Sequence, residues 1–238
     1  MNIAIIGYGK MGKEIEAIIK NSKHKVCAII DSQKDWEENI DKLKEVDVAI
    51  EFSQPNVVIE NIIKCFELNI PIVVGTTGWD QQHEEIKNLC LKNKQAMVWG
   101  SNFSIGVNMF FALNKKMAEM NAKLPSYLAE IEETHHITKL DAPSGTALQL
   151  ANTLIETTEK NKTEGVEQSI NVENLKIEAK RISNTPGTHI VKFTSDNDTI
   201  ELKHIALNRK DFAKGAIYAA EWIVGKKGFF SNFDVFNF

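Results

Sequence analysis

Ile3-Ala4-Ile5-Ile6-Gly7-Tyr8-Gly9-Lys10-Met11-Gly12 is the stretch on which the fold turns. A short apolar run, then G-x-G-x-x-G, then an amphipathic pattern from Met11 to Lys20 reads as strand, glycine turn and helix. The glycines permit a tight turn and let the backbone approach a pyrophosphate at the helix N-terminus, where unpaired N–H groups and the helix dipole favour an anion. Asp31 stands 24 residues after Gly7, close to the roughly 20-residue spacing of an acid that hydrogen-bonds a ribose 2′-OH. Gly7, Tyr8, Gly9, Lys10, Met11, Gly12 and Asp31 together read as a dinucleotide fingerprint, against the plainer alternative of a strand-helix turn whose glycines serve packing alone. Lys34 would tolerate a 2′-phosphate, so NADH and NADPH both stay open.

Outward from this turn, Val26–Ile30, Val46–Ile50, Ile72–Val74 and Ala96–Trp99 are further Ile/Val-rich runs that suit strands buried on both faces. Helical patterns at Val57–Leu68 and Gln81–Lys92, and a weaker one at Trp36–Leu43, separate them. Repeated β-α-β units predict an α/β fold: a Rossmann-type, doubly wound parallel sheet. Gly75-Thr76-Thr77-Gly78-Trp79 and Gly100-Ser101-Asn102-Phe103 leave the carboxyl ends of its fourth and fifth strands, the edge where such sheets bind ligands. Gly75, Thr76, Thr77, Gly100, Ser101, Asn102 and Phe103 are therefore expected to line the nicotinamide half of the site.

After Asn102 the texture changes. Ile105–Met120 reads as a long helix, Tyr127–Thr134 as a strand, and Gly145–Ile155 as a helix opened by Pro143-Ser144. Val172–Ile182 alternates with period two, and Thr188–Thr194 and Thr199–Ala206 flank the turn signal Ser195-Asp196-Asn197-Asp198. This predicts a second α+β domain with a mixed or antiparallel sheet, followed by a helix at Asp211–Val224 and a Phe-rich tail. The expected division is 1–104 plus 209–238 for the dinucleotide and 105–208 for substrate and subunit packing. The second sheet is expected to have more apolar surface than the Gly145–Ile155 helix covers, which points to a homo-oligomer. The tail residues Phe229, Phe230, Phe233, Phe236 and Phe238 are expected to pack on the first domain instead.

Composition narrows the class. The chain has 238 residues, 28 basic and 32 acidic, a net charge of −4 and 43% apolar residues. It can bury a sizeable core, which excludes a disordered tail protein. A slightly acidic charge, with no basic stripe interleaved with aromatics, argues against nucleic acid. No apolar run approaches the ~18–20 residues of a membrane span. Met1 runs into Ile3 without a basic or long apolar leader, and Cys27, Cys65 and Cys90 read as core thiols, so the expected compartment is the cytoplasm. Only Arg181 and Arg209 are Arg among the 28 basic residues, and a surviving Arg marks a place that needs a planar guanidinium fork.

The densest polar cluster runs from Glu132 to Thr146: EETHHITKLDAPSGT. It delivers His135, His136 and Lys139 into a loop that starts a helix, where the N–H groups of Gly145 and Thr146 are expected to be free to hold a carboxylate. A metal on His135 and His136 is the competing reading. Adjacent residues leaving a strand point to opposite faces, so the pair is not expected to chelate one ion, and no metal site is predicted.

The stretch Glu133-Thr134-His135-His136-Ile137-Thr138-Lys139-Leu140-Asp141-Ala142-Pro143-Ser144-Gly145-Thr146-Ala147 resembles the E-x-H-H-x-x-K-x-D-A-P-S-G-T-A signature of the 4-hydroxy-tetrahydrodipicolinate (dihydrodipicolinate) reductase family. Gly75–Gly78, Asn102-Phe103-Ser104 with Gly106-Val107-Asn108, and Arg209-x-x-Phe212-Ala213-x-Gly215-Ala216 match in order, so the resemblance spans nearly the whole chain. It implies NADH- or NADPH-dependent reduction of a dicarboxylate in lysine and diaminopimelate synthesis, by a homotetramer. It further implies that His135 and Lys139 move the proton, that His136, Gly145 and Thr146 hold substrate carboxylates, and that Arg209 and Phe212 approach the cofactor. Two departures stand out: the phosphate loop is one residue shorter than the family's frequent G-x-x-G-R-M-G, with Lys10 for Arg, and Ser183 replaces a Gly often found after Arg181. Another Rossmann dehydrogenase of amino or hydroxy acids, or a non-catalytic NAD(P) sensor, are the rival readings; a sensor needs neither a proton donor nor a carboxylate cradle.

Overall fold

The computed structural model describes residues 1–123, 127–137, 139, 141–162, 175–182 and 185–238, with the backbone alone for 158–162. Thr138, Leu140, Ser183 and the start of the strand expected at Val172 lie outside the described residues. The chain divides into one unit of Met1–Ile105 with Arg209–Asn237, and another of Gly106–Asn208 with Phe238.

The chain lays down β1 (Asn2–Ile6), α1 (Lys10–Ile19), β2 (Lys25–Ile30), α2 (Gln33–Glu38), α3 (Ile40–Leu43), β3 (Val48–Glu51), α4 (Val58–Glu67), β4 (Ile72–Val74), α5 (His83–Lys92) and β5 (Ala96–Trp99). Then come α6 (Ile105–Lys123), β6 (Leu128–His135), α7 (Gly145–Lys162), β7 (Lys176–Arg181), β8 (Thr188–Thr194) and β9 (Thr199–Ile205), and finally α8 (Lys210–Ile223), β10 (Gly228–Ser231) and α9 (Asn232–Val235).

The first unit is a six-stranded parallel sheet in the order β10-β5-β4-β3-β1-β2. Its strands are mostly apolar because both faces are covered, successive side chains pointing to opposite sides. Ile3, Ile5, Val48 and Ile50 join a core with α1 and α8, while Ala4, Ile6, Ala49 and Ile72 join another with α4 and α5. Each fully buried Ile contributes about 2 kcal/mol of transfer free energy. Chain order reverses between β1 and β3, and the crevice at such a reversal, outside the carboxyl ends of the strands, is where open α/β sheets take ligands.

Three local expectations need correction here. The segment expected as one helix from Trp36 is two, α2 and α3, because Ser32 and Asp35 form a capping box that starts the first at Gln33. The tail contributes a sixth parallel strand, β10, paired Phe229 to Met97 and Phe230 to Val98; four residues with adjacent aromatics carry no readable period. Phe229, Phe230 and Phe236 pack in this unit, but Phe233 and Phe238 are 46% and 66% exposed, since α9 buries Asn232 and Val235 instead.

The second unit is a four-stranded mixed sheet, β7-β6-β8-β9, with β6 parallel to β7 and antiparallel to β8. Its apolar face, Ala129, Ile131, Val191 and Phe193, packs on both α6, through Val107, Phe110 and Phe111, and α7, through Leu150 and Leu154. The expected surplus of apolar sheet is corrected in part: α6 covers much of what α7 does not, while Ile200, paired with Phe193, is 39% exposed. The other face carries charge, with the Lys192 ammonium 2.5 Å from Glu132 and 3.7 Å from Glu201. All three cysteines are free, Cys65 and Cys90 buried and Cys27 half-buried. No described helix is long and apolar enough to cross a membrane.

Candidate functional site

The glycine turn closes as its sequence requires. Gly7 sits at φ +86°, and a Cβ there would stand 2.3 Å from the Phe52 carbonyl oxygen, so only glycine fits between β1 and the chain leaving β3. The Gly7 N–H donates to Ile30 O at 2.7 Å and the Tyr8 N–H to Asp31 Oδ1 at 2.7 Å, binding the turn to the end of β2. Gly12 packs one turn later, where a Cβ would meet the Gly7 carbonyl at 2.3 Å. Gly9 and Lys10 are exposed and Met11 half-buried. The first turn of α1 has neither a side-chain cap nor an acidic residue, so its N–H groups remain available to an anion. A cleft lined by Gly7, Asp31, Ser32, Trp36, Ser53 and Asn61 adjoins it at the carboxyl ends of β1, β2 and β3. These features fit a dinucleotide.

The loops after β4 and β5 are held mainly by packing. A Cβ on Gly75 would strike the Phe52 ring at 2.1 Å, and one on Gly100 would come within 2.6 Å of Asn232. The Thr76 hydroxyl accepts the Ser53 N–H at 2.9 Å, and its carbonyl accepts the Trp79 indole N–H at 2.8 Å. Asn102 Oδ1 accepts the Ser104 N–H at 2.9 Å. Phe103 is 1% exposed and meets Phe52 edge-on at 6.2 Å, so its side chain belongs to the core and only its backbone faces the loop. Thr77 and Ser101 are exposed. Arg209 is the exposed residue preceding α8, and Phe212 is half-buried in that helix's first turn.

Glu51, which the sequence reading passed over, lies under these loops. It is 0% exposed; its Oε1 accepts the Ser53 N–H at 3.0 Å and the Asn61 amide at 3.4 Å, while Oε2 has no partner. Burial pushes its carboxyl above the usual range, only partly offset by Ser53, Thr76 and Asn61. The signal was available: an acid ending the apolar run Val48-Ala49-Ile50.

In the second unit, the alternation of β6 turns Glu133 and His135 to the same buried side. Glu133, 0% exposed in its side chain, is the hub. Both Arg181 Nη atoms donate to its Oε1 at 3.2 Å, and the Ser144 N–H lies 3.1 Å from each carboxylate oxygen. His135 Nδ1 and His189 Nε2 stand 3.5 and 3.6 Å from Oε2. Arg181 also donates from Nε to the Lys139 carbonyl at 3.4 Å and reaches the Asp141 carbonyl, so its planar fork ties β7 to the loop before α7. The Ser144 hydroxyl caps α7 by accepting the Ala147 N–H at 3.2 Å, and lies 3.2 Å from His189 Nε2.

Burial raises the Glu133 carboxyl, but the Ser144 hydroxyl and N–H, His135 and Arg181 more than offset it and hold it below the usual range. Burial pushes His135 down, with Glu133 pulling against it, and pushes His189 down to about 4. Both rings are therefore neutral at pH 7. A Cβ on Gly187 would crowd His135 Nε2 at 3.1 Å, so the absent side chain keeps that nitrogen open. Lys139 Nζ is 2.8 Å from Asp141 Oδ1. His136 is half-buried after the strand, Gly145 is exposed and Thr146 half-buried at the head of α7, whose first turn holds no acid. Glu133, His135 and His189 bring ligand-type atoms within 4.8 Å of one another, a group other than the His135–His136 pair weighed above; Arg181 and Ser144 already supply the positive ends this carboxylate needs. Glu133 and His189 were not singled out by the sequence, since neither sits next to its partners along the chain.

A glycine turn at the reversal of a parallel sheet, joined to a unit carrying imidazoles, an ammonium and an open helix N-terminus, defines a two-unit oxidoreductase of the dinucleotide-binding α/β class. Residues 1–103 match the family model described as dihydrodipicolinate reductase, N-terminus, and residues 106–236 match its C-terminus. The chain belongs to the dihydrodipicolinate reductase family. It is 45% identical over 235 residues to the 4-hydroxy-tetrahydrodipicolinate reductase of Christiangramia forsetii, covering 99% of this chain and 97% of the relative. The enzyme of the same name from Thermosipho africanus is 35% identical over 234 residues, covering 98% of this chain and 96% of the relative. Among solved structures, a dipicolinate-bound dihydrodipicolinate reductase from Paenisporosarcina sp. TG-14 is similar with a TM-score of 0.76 at 25% identity, over 98% of both chains.

Proposed function

We propose that this chain is an enzyme that uses NADH or NADPH to reduce 4-hydroxy-tetrahydrodipicolinate, by way of dihydrodipicolinate, to tetrahydrodipicolinate, on the route to lysine and diaminopimelate. The observation that carries the reading is the buried Glu133 hub, which presents a neutral His135 beside the open start of α7. The dipicolinate held by the Paenisporosarcina relative is a dicarboxylate of the same kind.

In this reading residues 1–104 and 209–238 bind the dinucleotide, and 105–208 bind substrate. Gly7, Tyr8, Gly9, Lys10, Met11 and Gly12 hold the pyrophosphate on α1, and Asp31 the ribose. Gly75, Thr76, Thr77, Gly100, Ser101, Asn102 and Phe103 border the nicotinamide through loop backbone and the exposed Thr77 and Ser101, with Arg209 and Phe212 beside them. A nicotinamide held there would supply a hydride to C4 of the conjugated imine, and the electrons moved toward the ring nitrogen and C3 would call for a proton at C3. Lys139, whose ammonium pairs with Asp141, delivers it, and the neutral His135, whose Nε2 lies beside Gly187, accepts or relays the proton. His136 and the N–H groups of Gly145 and Thr146 hold the two carboxylates. The working assembly is a cytoplasmic homotetramer.

Mixing aspartate semialdehyde and pyruvate with their condensing enzyme, then adding this protein, should oxidise NADH or NADPH, read at 340 nm. Folded protein that binds dinucleotide without turnover would sink the reading in favour of a sensor. A monomer mass by light scattering at micromolar concentration would remove the tetramer.

A further inference from the structure

We infer that Asp35, acting with Asp31, directs this chain toward NADH by occupying the loop donors that a 2′-phosphate would need. The inference rests on NAD(P)H being the cofactor and adds which of the two is preferred and why.

A ribose 2′-OH asks only for an acceptor, whereas a 2′-phosphate dianion asks for N–H donors and cations. The donors at the end of β2 are already taken. Asp35 Oδ2 accepts the Asp31 N–H at 2.9 Å, the Ser32 N–H at 2.7 Å and the Ser32 hydroxyl at 2.9 Å. These bonds, the Asp31 N–H foremost, hold the Asp35 carboxyl below the usual range and so keep it ionised. Asp31 is in turn fixed by the Tyr8 N–H on its Oδ1, which fastens its charge beside the glycine turn.

The lysines near the cleft are already paired with acids. Lys34 Nζ pairs with Glu38 at 3.2 Å and Lys64 Nζ with Glu60 at 2.8 Å, and Glu60 itself lines the cleft with Asp31, Ser32 and Gln33. A 2′-phosphate arriving here meets the Asp31 and Asp35 carboxylates, with Lys64 held by Glu60, and must displace Asp35 before the Asp31 or Ser32 N–H can face it. The specificity element is therefore a residue one helical turn beyond the acid usually credited, visible only because its side chain folds back on the loop.

Titrating NADH and NADPH into the protein, following Trp36 and dinucleotide fluorescence at fixed ionic strength, tests this without turnover. The native chain should bind NADH at least tenfold more tightly than NADPH. Asp35→Asn should narrow that ratio about tenfold, the size expected for removing one charge from a dianion several ångströms away, chiefly by improving NADPH, with NADH changed less than threefold. Asp35→Ser is a second variant, and far-UV circular dichroism confirms that each is folded. Equal native affinities, or a ratio unmoved in both Asp35 variants while Asp31→Asn shifts it, would overturn the assignment to Asp35. If the folded native protein binds neither dinucleotide, the cofactor reading itself is overturned.

Discussion

Glu51 in the first unit and Glu133 in the second are both wholly buried acids on sheet strands, yet their surroundings differ in sign. Around Glu51 the partners are neutral, Ser53, Asn61 and Thr76, and one oxygen has none, so burial prevails and the carboxyl is pushed up. Around Glu133 stand a guanidinium, a helix-start N–H and two imidazoles, and the carboxyl is held down. The first arrangement suits a unit that holds loops still under a ligand. The second places a fixed charge beside two imidazoles. Burial alone does not decide the state of an acid; the charge brought to it does.

The largest expected effect breaks the second arrangement. Glu133→Gln leaves Arg181 with its charge uncompensated, at a cost of about 3–5 kcal/mol, and should lower Tm by on the order of 10 °C. Hydrogen exchange should place the loss in the second unit. A Tm within about 2 °C of native would mean the hub is not a stabilising ion pair.

Next come the groups the hub presents. His135→Ala and Lys139→Ala should each lower kcat on the order of 10²-fold or more, with NADH affinity in the first unit unchanged. The double variant should lose less than the product if both serve one proton transfer. His136→Ala should act mainly through KM. Full turnover in folded Lys139→Ala would remove its assignment.

Smaller, but aimed at both units at once, is the response to pH. His189 falls from an ordinary 6.5 to about 4 in the folded protein, so between those values the unfolded chain binds more protons and stability drops as pH falls. Glu133, also lowered, contributes stability that is present above its unfolded pKa and lost as pH falls through the folded one. Glu51, raised, has the opposite sign: its contribution is full below its unfolded pKa and lost as pH rises. Hydrogen exchange at pH 7 and pH 5 should therefore show the second unit less protected at pH 5 while the core of the first is not. Equal losses in both units would refute the contrast.

The smallest effect is a gain. Glu51→Gln keeps an acceptor for Ser53 without the titration, and should raise Tm by about 2–4 °C at pH 7 but not at pH 4. A lower Tm at pH 7 would show that the charged form is the native one.

The strands of the first unit were readable because they are buried on both faces and announce themselves as Ile/Val runs. β10 was not, since Phe229-Phe230 has no period of its own and becomes a strand only by pairing with Met97 and Val98. In the site, His135, His136, Lys139 and Gly145 stood out because they crowd into one loop. Glu133 is legible only as part of a motif and His189 not at all, because what makes them matter is Arg181 and Ser144, 48 and 11 residues from Glu133 along the chain. Arg181 stands out by its rarity among the lysines, but its partner does not. Phe103, by contrast, looked like a loop contact and proved to be core.

The sequence by itself determined the class of most segments, the glycine turn that only Gly7 can make, and the cluster from Glu133 to Thr146, because period, turn chemistry and spacing act between near neighbours. Tertiary structure alone decided that α6 shares the cover of the second sheet, that Asp35 folds back on the donors of the Asp31 loop, and that Glu133 stays ionised while Glu51 is pushed toward its neutral form. Those outcomes depend on which dipoles and charges distant segments bring within a few ångströms, and electrostatic energy at that range is set by three-dimensional separation and burial, not by position in the chain.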